Sequence, residues 1–140
     1  MKIEDVPQLV LLTTTTKDGN MSLLTGEKGE IKNREKFLKS VNLKFDDLVV
    51  LRLQHRDKIY KATEKDLGKG AQSNKTAIKA DALITNKKDI YLCILTADCL
   101  PVSVYDPETK AVGLIHVSRH NIQKIIKNTI DLLKKEFSAN

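Results

Sequence analysis

Thr96-Ala97-Asp98-Cys99-Leu100-Pro101 opens the part of the sequence that decides the fold, because it leads into a predicted β-hairpin ending at His116. Two apolar runs flank Asp106-Pro107, and Asp-Pro is typical of a turn because proline sets the φ angle that a turn needs. Folding about Glu108 pairs position 100 with position 116, and Cβ atoms of paired residues lie about 4.5–5.5 Å apart. The sequence therefore predicts that the Cys99 thiol and the His116 imidazole meet at one end of the hairpin, close enough to share a metal ion.

Length and composition indicate one globular domain spanning residues 1–140. Hydrophobic residues make up 41% of the 140 and charged residues 30%, which is ordinary for a folded protein. A chain of this size buries roughly 68–70% of its unfolded surface. Because aromatic residues make up only 4% and tryptophan is absent, we expect a core built mainly from Ile, Leu and Val.

Charge and cysteine content indicate which partners and which cellular compartment the chain is suited to. The net charge of +6 would suit nucleic acid, but the lysines are scattered and few aromatic residues lie between them, which favours a solvated surface. No apolar run approaches the ~20 residues of a membrane span, and the N-terminal run 6–12 lacks a secretory pattern. Cys93 and Cys99 do not suggest a disulfide framework. These features predict a cytoplasmic protein whose thiols stay reduced and which does not bind membranes.

The remaining patterns predict an α+β fold with mixed α/β layers. Strands or core segments are predicted at residues 9–16, 46–53, 80–85 and 89–96, in addition to the hairpin, with a surface loop at 65–79. One helix is predicted over 32–41. A second helix is predicted after Ser118 as N-cap, with its buried face formed by Ile122, Ile125, Ile126, Ile130, Leu133 and Phe137.

The chain contains three histidines, and two of them follow or end predicted strands. His55 follows a strand expected to be buried, and His116 ends the hairpin, so both lie where catalytic groups are commonly displayed. Zinc binds thiolate at about 2.3 Å and imidazole at about 2.0–2.1 Å, and three protein ligands leave a fourth position for water or substrate. His55, Cys99 and His116 match this requirement. His120 is a weaker candidate, since it faces the side of His116 only if the helix begins before Ser118.

Two other interpretations of these residues remain open. A cysteine in an apolar region commonly packs as a small hydrophobe, which is the interpretation we favour for Cys93, and an isolated histidine is commonly structural. Alternatively, Cys99 acts as a catalytic nucleophile with His55 or His116 as its base, provided that nearby cations stabilise the thiolate. The sequence does not distinguish a thiolate that attacks from one that coordinates a metal.

At these residues the chain resembles the YfiH-like, laccase-domain purine nucleoside phosphorylases, also described as polyphenol oxidases. The family's T-A-D-C-x-P is matched by residues 96–101, and its A-D-A-L-(V/I)-T by residues 80–85. Residues 105–107 and 111–116 are similar to the family's strand, turn and returning strand, and Asn33-Arg34 falls where the family often has E-N-R. The resemblance extends from about residue 19 to about residue 130.

The resemblance implies a YfiH-like fold and maps the family's zinc ligands onto His55, Cys99 and His116. It also implies a metal-dependent enzyme that takes a purine nucleoside and phosphate, converting adenosine, inosine or guanosine to base and ribose 1-phosphate. Adenosine deamination is a further activity implied by the family. Older descriptions of the family as copper laccases imply phenol oxidation, and ligand softness allows copper as well as zinc at such a site.

The sequence departs from the family pattern in two segments and in length. The family's Q-V-H-G corresponds to Leu53-Gln54-His55-Arg56, in which only the histidine is kept. Its H-A-G-W-R-G corresponds to residues 116–121, where Arg119 lies one position from the family's arginine and is our candidate for binding an anionic substrate group. Because family members are longer, we expect a fold truncated on its C-terminal side, or one completed by a second subunit. The hypothesis that competes with the enzyme is a metal-binding or interaction homologue without catalysis.

Overall fold

The computed structural model describes residues 9–25 and 29–140, and it divides into two compact units, Met1–Lys44 and Phe45–Asn140. The single domain expected over 1–140 stays a prediction. The N-terminal run 6–12, in which no secretory pattern is expected, lies partly outside the described residues. In the described part of the chain, no helix combines the length and the apolar character that crossing a membrane requires. Both cysteines are free thiols.

The first unit contains a short 3-10 helix and one α-helix. The strand predicted at 9–16 is wrong, because residues 9–15 have no regular secondary structure and Thr16–Asp18 forms a 3-10 helix. A capping box favours this turn, since the Asp18 carboxylate accepts from the Thr15 backbone N–H at 2.7 Å. The predicted helix over 32–41 is confirmed as α1, Glu30–Ser40.

The second unit contains seven strands and one long helix. The strands are β1 Leu48–Arg52, β2 Ile59–Lys61, β3 Ile78–Lys79, β4 Ala82–Thr85, β5 Tyr91–Cys93, β6 Leu100–Asp106 and β7 Ala111–Val117, and the helix is α2 Ile125–Phe137. One sheet has the order β3-β1-β5 with parallel pairing. The other has the order β2-β4-β7-β6, parallel between β2 and β4 and antiparallel elsewhere. The predicted α+β class is confirmed.

Apolar runs account for the central strands of both sheets. Residues 48–51 of β1 and all of β4 are buried, as their continuous apolar sequences predict. The strand predicted at 89–96 is shorter than expected, because only Tyr91–Cys93 pairs with β1. The surface loop predicted at 65–79 is correct only in part, since Ala71 is fully buried and β3 joins a sheet. The core consists largely of Ile, Leu, Val and Ala, as predicted.

The hairpin of β6 and β7 exists, but its register differs by one residue from the prediction. Pro101, not Leu100, lies opposite His116. The turn spans residues 107–110 and ends with Lys110 at φ 60°, and the Asp106 carboxylate accepts from the backbone N–H of Glu108 at 3.1 Å. A four-residue turn therefore replaces the centre assumed at Glu108. Cys99 lies in a bend just before β6, two residues from the partner of His116.

The N-cap predicted at Ser118 is wrong, because α2 begins at Ile125 with Lys124 as its N-cap. The Asn121 side chain accepts from the Ser118 backbone N–H at 2.7 Å, and this bond closes a separate turn before the helix. The predicted buried face is confirmed in part, since Ile126 and Phe137 also pack against the core. Ile125, Thr129 and Leu133 are buried, whereas Ile122 and Ile130 are 57% and 37% exposed.

Candidate metal centre

His55 lies in a tight bend that a buried carboxylate stabilises. Its φ of 58° is in the left-handed region, which residues other than glycine rarely adopt. Asp81, which is fully buried, accepts from the backbone N–H groups of Gln54 at 3.0 Å, His55 at 2.8 Å and Arg56 at 3.0 Å. Such charge-assisted bonds are stronger than those between neutral groups. The Asp81 carboxylate therefore holds the backbone of His55 in a conformation that is unfavourable by itself.

The same carboxylate orients His116, whose ring is only 1% exposed. The Nδ1 atom of His116 lies 3.1 Å from Oδ1 of Asp81. Because a carboxylate accepts hydrogen bonds, Nδ1 carries the hydrogen and Nε2 keeps the lone pair that a metal needs. The backbone N–H of His116 also donates to the carbonyl oxygen of Asp81 at 2.8 Å. One residue thus positions both histidines.

The structure brings His55, Cys99 and His116 together. One potential ligand atom from each residue lies within 4.8 Å of the other two. The two imidazole rings are edge to face, with centroids 4.9 Å apart and an interplanar angle of 87°. Donors around one zinc ion lie about 3.5 Å apart, so shifts of about 1 Å complete such a centre. Two imidazoles and one thiol fit a single ion of zinc or copper.

The other two residues considered from the sequence lie outside this donor cluster in the described part of the chain. His120 lines the neighbouring cavity and supplies no atom to the cluster. Cys93 lies in β5 and is half-buried, as expected of a packing residue. The roles of the three clustered residues as metal ligands, and of Cys99 as a catalytic group, stay predictions.

A cavity of about 470 Å³ adjoins the cluster, and His55 belongs to both. Arg119, the candidate for substrate binding, lines this cavity and is exposed. Buried Asn121 joins the cavity wall to the donor cluster, because its Nδ2 donates to the carbonyl oxygens of Arg56 at 2.7 Å and His116 at 3.0 Å. The backbone near the cluster is therefore tied to the backbone that carries Arg119.

Sequence reasoning missed the roles of Asp81, Arg56 and Asn121. Asp81 gave a signal, since it lies in the segment 80–85 that was expected in the core, and a buried carboxylate needs hydrogen-bond partners. Arg56 gave none, because the other cations that line the cavity, Arg119 and Lys124, are distant from it in the chain. Asn121 was hidden by the prediction that placed it inside a helix.

Comparison with known proteins gives a family match over most of the chain. Residues 13–140 match the family described as multi-copper polyphenol oxidoreductase laccase. The purine nucleoside phosphorylase YlmD of Bacillus subtilis (strain 168) is 35% identical over an alignment of 120 residues, with 76% of this chain and 43% of that protein covered. The family description implies a metal centre without identifying the metal at this site.

Solved structures agree with the fold. The hypothetical protein YfiH of Bacillus licheniformis superposes with a TM-score of 0.82 at 30% identity, over 86% of this chain and 47% of that one. YlmD of Geobacillus stearothermophilus superposes with a TM-score of 0.78 at 28% identity, over 82% and 44%. The chain therefore has a YfiH-like fold and spans less than half the length of each of these relatives.

Proposed function

The chain belongs to the multi-copper polyphenol oxidoreductase laccase family, and we propose that it is a zinc-dependent enzyme of the purine nucleoside phosphorylase type. Its substrates would be adenosine, inosine or guanosine together with phosphate, and its products a free base and ribose 1-phosphate. Adenosine deamination is a second reaction proposed for the same site. The name of the Bacillus subtilis relative supports this class of substrate.

One observation carries the proposal: donor atoms of His55, Cys99 and His116 lie within 4.8 Å of one another at the edge of a cavity. Three ligands leave a fourth position for a substrate oxygen or water. When bound there, zinc supplies Lewis acidity toward a phosphate oxygen or a water molecule. Copper suits the same donors, and we favour zinc because phosphorolysis needs a Lewis acid and no redox change.

The chain's own residues would bind and orient the reactants. His116 presents Nε2 because Asp81 holds Nδ1, and His55 is held by its backbone bond to the same carboxylate. Arg119 lines the cavity and would bind an anionic oxygen. In phosphorolysis a phosphate oxygen forms a bond to ribose C1′, while the bond from C1′ to the base nitrogen breaks and the base takes up a proton.

The competing functions differ in what they require of Cys99. A nucleophilic Cys99 would form a covalent intermediate without metal, whereas the proposed centre uses its sulfur as a ligand. A homologue without catalysis would bind zinc but convert no nucleoside. A copper enzyme would oxidise phenols. We favour the zinc ligand because two imidazoles approach the same sulfur, whereas a nucleophile requires only one base.

Metal analysis and a phosphorolysis assay on matched cysteine variants test the proposal. The 140-residue chain and its Cys93→Ala variant are expected to bind about one zinc per chain and to release base from adenosine, inosine or guanosine only with phosphate. Cys99→Ala is expected to lose both zinc and turnover. Cys93→Ala is the control, since its sulfur lies outside the cluster.

Each alternative outcome identifies one competitor. Bound zinc without turnover would indicate a non-catalytic homologue. Copper with phenol oxidation would indicate the oxidoreductase. Turnover without metal that Cys99→Ala abolishes would indicate a nucleophilic cysteine, and turnover unaffected by Cys99→Ala would exclude the centre altogether.

A further inference from the structure

Asn121 is a buried amide whose side chain uses its oxygen and both hydrogens of its nitrogen. It is 4% exposed, and its Oδ1 accepts from the Ser118 backbone N–H at 2.7 Å. Its Nδ2 donates to the carbonyl oxygens of Arg56 at 2.7 Å and of His116 at 3.0 Å. An amide nitrogen carries two hydrogens, so these two bonds use both of them. The backbone around this side chain therefore determines its orientation.

The two bonds from Nδ2 join the segments that carry the candidate histidine ligands. Arg56 directly follows His55, whose φ of 58° marks the tight bend described above. His116 lies in β7 and is itself a candidate ligand. Asn121 is 65 positions from Arg56 and five from His116, so one side chain connects a distant segment to a near one.

Asp81 holds the same two segments through their other polar groups. The N–H of Arg56 donates to Oδ2 of Asp81 at 3.0 Å, and Nδ1 of His116 lies 3.1 Å from Oδ1 of that carboxylate. The backbone N–H of His116 donates to the Asp81 carbonyl oxygen at 2.8 Å. Arg56 and His116 are therefore each fixed at the N–H by Asp81 and at the carbonyl oxygen by Asn121.

The hydrogen bonds of the Asn121 side chain are of two kinds that a substitution can separate. The bond to Oδ1 closes the turn after β7, as asparagine side chains do in many turns. The bonds from Nδ2 satisfy carbonyl oxygens in the His55 bend and in β7, and buried carbonyl groups need such donors. Aspartate at this position keeps an oxygen that can close the turn, but it removes the donor of the other two bonds.

We infer that Asn121 is a positioning residue of the candidate metal centre, which sets the spacing of the His55 and His116 imidazoles through Nδ2. The two rings are in contact, with centroids 4.9 Å apart, and ligands that are already in place bind a metal more tightly than ligands that must first be ordered. The family pattern H-A-G-W-R-G has glycine at the position of Asn121, and glycine cannot make these bonds. The inference rests on the proposed function only in that both histidines bind the metal.

Zinc titration of the 140-residue chain tests this role with matched asparagine variants. Asn121→Asp is expected to raise the Kd for zinc about tenfold or more, because both carbonyl oxygens lose their donor. Asn33→Asp is the control, since Nδ2 of Asn33 also donates to a backbone carbonyl oxygen, that of Asn20 at 2.9 Å, but Asn33 lies outside the donor cluster. This control should change the Kd less than about twofold. Asn121→Ala compared with Asn33→Ala repeats the test without an added negative charge, which by itself would favour a cation.

A second measurement does not need the metal. In the metal-free protein, nuclear Overhauser cross-peaks between ring protons of His55 and His116 report the contact between the two imidazoles. These cross-peaks should be lost in Asn121→Ala and retained in Asn33→Ala. A residue that stabilises only the turn would lower the melting temperature of Asn121→Ala while the cross-peaks and the zinc Kd stay unchanged, and that result would overturn the inference.

The two measurements separate this inference from the proposed function. A wild-type chain that binds no zinc or converts no nucleoside would exclude the proposed function, whereas loss of the ring contact in Asn121→Ala would still support the inference. Conversely, a wild-type chain that binds zinc and converts nucleosides would support the enzyme. If both Asn121 variants then keep the zinc Kd within about twofold of wild type, the positioning role is excluded.

Discussion

Asp66 and Asp81 are both buried carboxylates of the second unit, at 2% and 0% exposure, yet their partners differ in kind. Asp66 accepts from the ammonium of Lys69 at 2.7 Å, the hydroxyl of Tyr60 at 3.0 Å and the backbone N–H of Thr63 at 2.9 Å. Asp81 accepts from three backbone N–H groups and from an imidazole, and in the described part of the chain no lysine or arginine pairs with it. Asp66 thus stabilises a local turn, whereas Asp81 connects the segment of His55 to the segment of His116.

The difference lies in what each carboxylate positions. The partners of Asp66 lie within six residues of it, so its bonds stabilise the 3-10 helix Glu64–Asp66 and the chain beside it. The partners of Asp81 lie 25 to 35 residues away, and two of them belong to His55 and His116. We therefore expect loss of Asp66 to affect stability alone, and loss of Asp81 to affect stability and metal binding together.

The largest effect is expected from Asp81→Ala. This substitution removes the acceptor of three part-buried backbone hydrogen bonds and of the buried His116 imidazole, and it releases the strained backbone of His55. The free energy of unfolding should fall by about 3–5 kcal/mol, measured by urea denaturation. Asp131→Ala, at an exposed carboxylate paired with Lys127, should change it by less than about 0.5 kcal/mol. Equal losses in the two variants would show that Asp81 has no special role.

A smaller and more selective effect is expected from Asp81→Asn compared with Asp66→Asn. The amide keeps the size of the side chain, but it removes the negative charge that accepts from Nδ1 of His116 and puts a donor opposite the Arg56 N–H, so the bend weakens and His116 is held less firmly. Zinc affinity, measured by competition with a chromophoric chelator, should fall about 10–100-fold in Asp81→Asn. In Asp66→Asn zinc affinity should stay within about twofold of wild type, while stability falls by about 1–3 kcal/mol. Equal zinc affinities in Asp81→Asn and Asp66→Asn would contradict the prediction that Asp81, and not Asp66, positions the metal ligands.

The smallest effect is the pH dependence contributed by Asp66. Burial raises the pKa of Asp66, but hydrogen bonds from Lys69, Thr63 and Tyr60 together outweigh burial and hold the pKa below its ordinary value. The folded state therefore favours the ionised form, and this contribution is present above the unfolded pKa of about 3.9 and is lost as the pH falls through the folded pKa. Melting temperatures measured between about pH 5 and pH 2 should fall more steeply for wild type than for Asp66→Asn. Parallel curves would contradict this prediction.

Burial also raises the pKa of Tyr60, and its hydrogen bond to Asp66 raises it further. The hydrogen bond between these two side chains thus raises the pKa of Tyr60 and lowers that of Asp66.

Elements with a continuous local pattern were predicted well. The apolar run of β1, the helix α1 and the hairpin of β6 and β7 agree with the structure, apart from the register of the hairpin. The strand predicted at 9–16 and the N-cap predicted at Ser118 were wrong. In each case a nearby side chain makes a hydrogen bond that closes a turn instead. The Asp18 carboxylate closes a turn in the first case, and the Asn121 amide closes one in the second.

Local sequence was enough to select His55, Cys99 and His116 as candidate donors, because residue type and position at strand ends are both properties of short segments. Their approach to within 4.8 Å, and the cationic cavity beside them, required the folded chain. Asp81 is the physical reason, since its hydrogen bonds join residues 25 to 35 positions apart and leave no local pattern. Packing between distant segments, and not the sequence of any one of them, makes the candidate site.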